Sequence, residues 1–91
     1  MIKKIEGGIG AAYYVYILQC ADNTLYTGIT TDISRRVDEH NGVLPGGARY
    51  TRGRGPVRLV YSMIFPDRSS ALKEEFRIKS LTRAQKDKLV D

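Results

Sequence analysis

Four side chains in the first half of the chain have the types and spacing of a site that cleaves phosphodiester bonds. Tyr16 and Tyr26 are ten positions apart, Arg36 follows after ten more, and His40 lies one helical turn beyond Arg36. A guanidinium can stabilise the charge that builds on a phosphate in the transition state, and an imidazole can assist proton transfer. We therefore expect the two phenols, the guanidinium and the imidazole to form one site.

Two consecutive strands should carry the tyrosines. The segment 13–20 is rich in aromatic and β-branched residues, and the segment 25–29 has the same character. Asp22 lies in the predicted turn between them, so the two segments should form a β-hairpin. On such a hairpin Tyr16 and Tyr26 can point to the same face of the sheet.

A helix should follow and carry the arginine and the histidine. Asp32 is a favoured N-cap residue, and the helix should end near Asn41, just before a glycine. Ile33 and Val37 give this helix an apolar stripe that can dock it on the sheet. The arginine and the histidine lie at the edge of the same face.

A third strand and a second helix are predicted in the second half of the chain. A long loop rich in glycine and arginine, 42–56, precedes a strand over 57–65. Loops of this length inside a small domain are usually functional or mobile. A second helix should begin at Ser69 or Ser70 and end near Ser80.

The last helix completes an α+β fold. Thr82 and Gln85 form a capping box for a short helix over 83–90. The order β-β-α-β-α-α predicts a three-stranded antiparallel sheet flanked by helices. We expect a flexible, glycine-containing leader over 1–12 and one domain over 13–91.

The composition favours an anionic partner. The 91 residues carry a formal net charge of +5, for which nucleic acid is the usual partner. A single cysteine, Cys20, excludes a disulfide within the chain. No apolar run reaches the length of a membrane span, and the N-terminus is a poor secretory signal. A cytoplasmic protein is the simplest interpretation.

The predicted contacts with DNA lie mainly in the glycine-rich loop. Arginines pair with phosphates and a tyrosine can stack on a base. The loop has no acidic residue to offset its arginines, which favours binding over the alternative of a mobile, solvated loop. The candidate contacts are Arg35, Arg49, Tyr50, Thr51, Arg52, Arg54 and Lys79.

Each candidate catalytic residue also has an ordinary structural interpretation. Tyrosines are common in the core of small sheets. Arg36 can pair with Glu39 or Asp32, and a histidine at position 40 can favour the helix dipole. Gly28 indicates either close approach of another group or a simple bulge.

Two adjacent carboxylates in the second helix are candidates for metal binding. Glu74 or Glu75 could hold Mg²⁺ together with waters and a substrate phosphate, since Mg²⁺ needs few protein ligands. The alternative is that Glu75 and Lys79, four residues apart, form an ordinary surface pair.

The ordered set of motifs resembles the GIY-YIG nuclease domain. The signature pair is similar to Tyr14-Val15-Tyr16 and Tyr26-Thr27-Gly28, with Tyr14 in place of the glycine and Thr27 in place of the isoleucine. The chain looks closest to the small stand-alone bacterial-type subfamily, which is similar to the N-terminal domain of UvrC. Further motifs of this resemblance are 32–36, 40–41, 49–53, 65–69, 71–75 and 78–81.

The resemblance implies a role for each residue of the site. Tyr16 and Tyr26 would line the attacking water, and one of them, with Tyr16 favoured, would be the general base. Arg36 would bind the scissile phosphate, and His40 would support the base or the water. Glu75 would hold one divalent metal ion, Mg²⁺ or Mn²⁺.

Glu75 is preferred over Glu74 because of its place in the subfamily pattern. It lies three residues after Leu72 and three before Ile78. Some relatives use an asparagine beyond the glutamate, and this chain has none there.

The resemblance implies a metal-dependent endonuclease that hydrolyses DNA. No element for reading the major groove is found, so single-stranded or branched DNA is the expected substrate. Repair, recombination or DNA uptake would be the setting. The alternatives are a non-catalytic nucleic-acid-binding module that acts with a partner protein, and a protein–protein adaptor.

Overall fold

The sheet has three antiparallel strands in the part of the chain, residues 12–90, that this computed structural model describes. Strand β1 (Tyr13–Gln19) lies in the middle, between β2 (Leu25–Thr30) and β3 (Arg58–Phe65). The predicted hairpin and the third strand are therefore confirmed.

Three helices accompany the sheet. They are α1 (Ile33–His40), α2 (Arg68–Lys79) and α3 (Arg83–Val90). The order β-β-α-β-α-α confirms the predicted α+β class. The predicted leader, 1–12, falls outside the described residues except for Ala12, and its separation from a single domain remains a prediction.

The central strand supplies the core on both faces of the sheet. Val15 and Ile17 are fully buried and pack on one face against Ala71 of α2. Tyr16 and Leu18, which alternate with them, are buried on the other face. A phenol on β1 is thus held in a packed layer, and its position is fixed by the core.

The first helix begins and ends as its sequence predicts, and Val37 docks it on the sheet. The side chain of Asp32 accepts a hydrogen bond from the Arg35 amide at 3.0 Å and caps the N-terminus. Gly42 follows the helix with a φ of +81°, a conformation that favours glycine. Val37 packs against the same cluster as Tyr16, so α1 lies on the face that carries this phenol.

The predicted start of the second helix was wrong by one or two residues. The helix begins at Arg68 instead of Ser69 or Ser70, because the side chain of Asp67 accepts from the Ser70 amide at 2.8 Å. The third helix has the expected capping box. The amide of Thr82 donates to Gln85 Oε1 at 2.9 Å, and the Gln85 amide donates to Thr82 Oγ1 at 3.1 Å.

Within residues 12–90, every helix is too short or too polar to cross a membrane.

Candidate active site

The hairpin brings the two tyrosines to one face of the sheet, as predicted. Tyr16 pairs with Gly28, and Leu18 pairs with Tyr26. Directly paired residues, and residues two apart on a strand, share a face. The two phenol rings are 6.4 Å apart between centroids.

Gly28 provides the space in which the Tyr16 ring lies. A Cβ atom at this position would be 2.6 Å from the Tyr16 hydroxyl oxygen and 2.8 Å from its Cζ. The register between β1 and β2 is continuous through Gly28, so the bulge interpretation was wrong. The glycine is needed because the phenol passes directly over the backbone.

The end of α1 places an imidazole on the Tyr16 phenol. His40 Nε2 is 2.9 Å from the Tyr16 hydroxyl oxygen, and the ring packs edge-on against Tyr26 at 5.1 Å. His40 is 5% exposed, and this burial, together with the nearby Arg36 cation, lowers the pKa of His40 to about 4. The contacts with Tyr16 and Tyr26, rather than the helix dipole, account for the placement of this neutral imidazole.

Thr51 determines which nitrogen of His40 carries the proton. Its hydroxyl lies 2.8 Å from His40 Nδ1 and donates to the Ala48 carbonyl at 3.0 Å. A hydroxyl has one proton, and with that proton on the Ala48 carbonyl we assign Nδ1–H as the donor to Thr51. Nε2 is then free to accept the Tyr16 O–H. The Ala48 amide points toward the same Nδ1 at 3.5 Å, which is too long to compete.

Burial dominates the acidity of the Tyr16 phenol. Desolvation, only partly offset by the hydrogen bond from Arg36, raises the pKa of Tyr16 to about 12. Smaller contributions that raise the pKa come from the neighbouring Tyr26 and from Glu75. The phenol is therefore protonated at neutral pH, and only further positive charge would make the phenolate accessible.

Arg36 faces the phenol and is also paired with an acid. Its Nε is 3.4 Å from the Tyr16 hydroxyl oxygen. Its Nη1 donates to Glu39 Oε1 at 2.6 Å and to the Gly46 carbonyl at 2.8 Å. The predicted pairing with Glu39 is confirmed. The alternative pairing with Asp32 was wrong, since that carboxylate caps the helix.

The aromatic part of the glycine-rich loop packs on β2. The Tyr50 ring stacks on Tyr26 at 5.7 Å between centroids, and the Arg54 guanidinium lies 4.3 Å from the Tyr50 centroid. Arg54 Nη1 is also 2.6 Å from Asp22 Oδ2 in the β1–β2 turn. The expectation that the arginines of this loop lack an acidic partner was therefore wrong for Arg54.

Asn41 closes the 42–56 loop by hydrogen bonds to Val57. The sequence did not reveal this structural role. The Asn41 side-chain amide donates to the Val57 carbonyl at 3.1 Å, and its oxygen accepts from the Val57 amide at 2.7 Å. Asn41 thus joins the two ends of the 42–56 loop. The signals in the sequence were its position directly after the helix and its place in the 40–41 motif.

The residues predicted to contact DNA differ in their exposure and in their ion pairs. Arg49 and Arg52 are exposed, whereas Thr51 is 1% exposed and holds the imidazole. Arg35 Nε lies 3.4 Å from Glu39, and Lys79 Nζ lies 3.1 Å from Glu75.

The two candidate metal ligands differ in what surrounds them. Arg77 binds both oxygens of Glu74, at 2.9 and 2.6 Å. Glu75 pairs with Lys79 through one oxygen, which confirms the predicted pair, and lies close enough to raise the pKa of Tyr16. Among residues 12–90, no group of three or more acidic, histidine or cysteine side chains is placed so that it could hold a metal ion. Glu75 with waters and a substrate phosphate is a ligand set that Mg²⁺ accepts.

Comparisons with known proteins agree with this geometry. A model of the GIY-YIG catalytic domain matches residues 12–88. A UPF0213 protein of Natronomonas pharaonis is 54% identical over 82 residues, which cover 90% of this chain and 94% of that protein. A UPF0213 protein of Desulfotalea psychrophila is 58% identical, covering 87% of this chain and 71% of its own length.

Two solution NMR structures have the same fold. The UPF0213 protein of Bacillus halodurans is 48% identical with a TM-score of 0.56, and the match covers 87% of this chain and 82% of that one. A protein of E. faecalis is 38% identical with a TM-score of 0.59, covering 94% and 85%. The domain match and the identity to small UPF0213 proteins show that this chain belongs to the GIY-YIG family, a family of nucleases.

Proposed function

We propose that this protein is a metal-dependent endonuclease that hydrolyses DNA phosphodiester bonds. The observation that carries the proposal is the environment of the Tyr16 hydroxyl, which lies 2.9 Å from a neutral imidazole and 3.4 Å from a guanidinium. A hydroxyl with a proton acceptor on one side and a cation on the other is arranged to become an oxyanion.

In this proposal Tyr16 is the general base, and His40 takes its proton. The attacking water gives a proton to the Tyr16 oxygen, while the phenolic proton moves to His40 Nε2. The new charge on the imidazole is shared through Nδ1–H with the Thr51 hydroxyl, which is anchored on the Ala48 carbonyl. Thr51 therefore acts in this proposal by positioning His40.

Substrate binding is what would make this transfer feasible. In the free protein the pKa of Tyr16 is about 12 and that of His40 about 4, so the proton stays on the phenol. Arg36 contributes to the low pKa of His40. A phosphate bound to Arg36 would offset that charge and raise the basicity of His40, so that His40 can accept the Tyr16 proton when the substrate is bound.

Glu75 is the residue that would hold a divalent cation, Mg²⁺ or Mn²⁺. When bound, such an ion polarises the phosphate and neutralises charge on the leaving oxygen. The Lys79 ammonium on Glu75 Oε2 would have to give way or share the carboxylate. Glu74 is a poorer ligand because Arg77 binds both of its oxygens.

The substrate would lie over the face that carries both phenols, with exposed arginines at its border. Arg49 and Arg52 are exposed and are the best candidates for phosphate contacts. Arg35 and Lys79 would contribute only if they exchange their carboxylate partners for phosphates. We retain single-stranded or branched DNA, in repair, recombination or uptake, as the proposed substrate class.

The decisive experiment is a cleavage assay on labelled oligonucleotides. Single-stranded, flapped, branched and duplex DNA, and a single-stranded RNA, are incubated with Mg²⁺ or Mn²⁺ and then with EDTA. We expect EDTA, Tyr16→Phe and Glu75→Ala each to abolish cutting. Tyr61→Phe is the matched control, since Tyr61 packs in the cluster on the opposite face. Full cutting by Tyr16→Phe would refute the proposed base.

A nucleic-acid-binding module without catalysis is the second candidate. The observation in its favour is that the charged groups of the site are already paired: Arg36 with Glu39, and Glu75 with Lys79. Tight, salt-dependent binding of DNA with no cutting on any substrate or metal would support this function. Binding that is insensitive to salt would instead indicate a protein partner.

A further inference from the structure

One further carboxylate, that of Glu39, contacts the guanidinium at the centre of the proposed site. Glu39 Oε1 lies 2.6 Å from Arg36 Nη1, and Oε2 lies 3.4 Å from Arg35 Nε. The Glu39 side chain is only 18% exposed. It is therefore held in place by its neighbours and is not a freely solvated surface acid.

The glycine-rich loop packs directly on Glu39. A Cβ atom at Gly47 would lie 2.5 Å from the Glu39 carbonyl oxygen, and one at Gly46 would lie 3.7 Å from Glu39 Cδ. The carbonyl of Gly46 also accepts from Arg36 Nη1, at 2.8 Å. The carboxylate and this carbonyl thus act together on a single nitrogen of Arg36.

This arrangement occupies Nη1, so a phosphate can approach Arg36 only through Nε and Nη2. The two protons of Nη1 are taken by Glu39 and Gly46. Nε faces the Tyr16 hydroxyl at 3.4 Å, and Nη2 has no hydrogen-bond partner among residues 12–90. The edge formed by Nε and Nη2 can bind a phosphate through two parallel hydrogen bonds when Nε exchanges the Tyr16 hydroxyl for a phosphate oxygen, and it lies beside Tyr16.

We propose that Glu39 is a positioning residue that fixes Arg36 with its Nε–Nη2 edge toward the scissile phosphate. The inference rests on the proposed nuclease function. Glu39 itself would make no contact with DNA, and its negative charge would oppose the approach of a phosphate. Its benefit would therefore be seen in the cleavage rate and not in affinity.

Two substitutions of Glu39 separate the effect of its side-chain length from the effect of its charge. Glu39→Gln loses the charge but keeps an oxygen that can accept from Nη1. Glu39→Asp keeps the charge but is one methylene too short to reach. Asp38→Asn, one residue earlier on the same helix, is the matched control for charge, since Asp38 forms no ion pair within residues 12–90.

The measurements are the single-turnover cleavage rate at saturating protein and the Kd for the same oligonucleotide. A misplaced guanidinium should slow Glu39→Asp by about tenfold or more, with its Kd unchanged. Glu39→Gln should cut at least about fivefold faster than Glu39→Asp. Both Glu39→Gln and Asp38→Asn should bind DNA equally well or more tightly than the wild type, because each removes a negative charge.

The ratio of the two Glu39 variants decides the outcome. The inference is overturned if Glu39→Gln does not cut at least about fivefold faster than Glu39→Asp. This holds if both variants cut at the wild-type rate, and also if Glu39→Gln is the slower one because only the charge matters. If the wild type cuts nothing, the proposed function fails, and the Arg36 Nε–Hε signal in NMR spectra then tests the positioning. That signal should be retained in Glu39→Gln and shifted or broadened in Glu39→Asp. An unchanged signal in Glu39→Asp would contradict the role.

Discussion

In the candidate site, a proton donor and a proton acceptor are in short contact. A buried phenol that keeps its proton lies 2.9 Å from the unprotonated Nε2 of a buried, neutral imidazole. Burial strengthens both states, since it raises the pKa of Tyr16 and lowers that of His40. Two neutral groups avoid the cost of burying a charge in the free protein.

Gly28→Ala should displace the Tyr16 phenol from His40. The new Cβ would lie 2.6 Å from the hydroxyl oxygen, and the ring is only 1% exposed and has little room to move. Overpacking of this kind costs about 1–3 kcal/mol. We expect a loss of that size in urea unfolding, together with a strong loss of cleavage. The loss of stability should be smaller in a Tyr16→Phe background, which removes the nearest atom, and an equal loss there would contradict this explanation.

His40 should make the folded state less stable in mild acid. Its pKa is about 4 in the folded protein against about 6.5 as a free side chain. Between these values the unfolded chain binds a proton that the native imidazole does not, so stability is full above about pH 6.5 and falls toward pH 4. The difference amounts to about 3 kcal/mol at most.

Urea unfolding at several pH values tests this contribution. Comparing the wild type with His40→Gln isolates it from the carboxyl groups of Asp22, Asp67 and Glu74, whose lowered pKa values act at lower pH. The variant should lose less stability between pH 6.5 and pH 4. Parallel curves for the two proteins would show that His40 contributes nothing to the acid sensitivity.

At the scale of elements, the end of α1 and the loop after it form one unit. Asn41 bonds both the amide and the carbonyl of Val57. The loop between them carries Thr51, which orients His40 on the last turn of the helix. The sequence placed this loop correctly but did not reveal that it is anchored at both ends.

Asn41→Ala should therefore reduce activity through the loop. Loss of both hydrogen bonds leaves the Val57 groups without partners and costs about 1–3 kcal/mol. Asp67→Ala, which removes the cap of α2, is a control that costs about 1 kcal/mol elsewhere. When both variants are assayed far below their melting temperatures, we expect the cleavage rate of Asn41→Ala to be well below that of Asp67→Ala. Equal rates would separate the loop from catalysis.

At the scale of the whole molecule, positive charge is arranged unevenly around the site. Arg52 is exposed, whereas Arg54 is bound to Asp22 and lies over Tyr50. An arginine already paired with a carboxylate has less to gain from a phosphate. The basic loop should therefore contribute to DNA binding through some of its arginines only.

Arg52→Ala and Arg54→Ala should differ in the salt dependence of DNA binding. Loss of one phosphate contact reduces the slope of log Kd against log salt by about one. We expect this change for Arg52→Ala and a smaller one for Arg54→Ala, as measured by fluorescence anisotropy at several salt concentrations. The reverse order would place the DNA path along the Asp22 side of the loop.

The order of strands and helices and the residue types of the candidate site could be predicted from local patterns in the chain. Alternating and helical periodicity, the caps and the glycines act over a few residues, so strands, helices and the shared face of Tyr16 and Tyr26 were predictable. The pairing of Arg54 with Asp22 and the burial of Thr51 could not be predicted in this way and became known from the folded structure. These depend on contacts between segments far apart in the chain, which packing selects and no local pattern encodes.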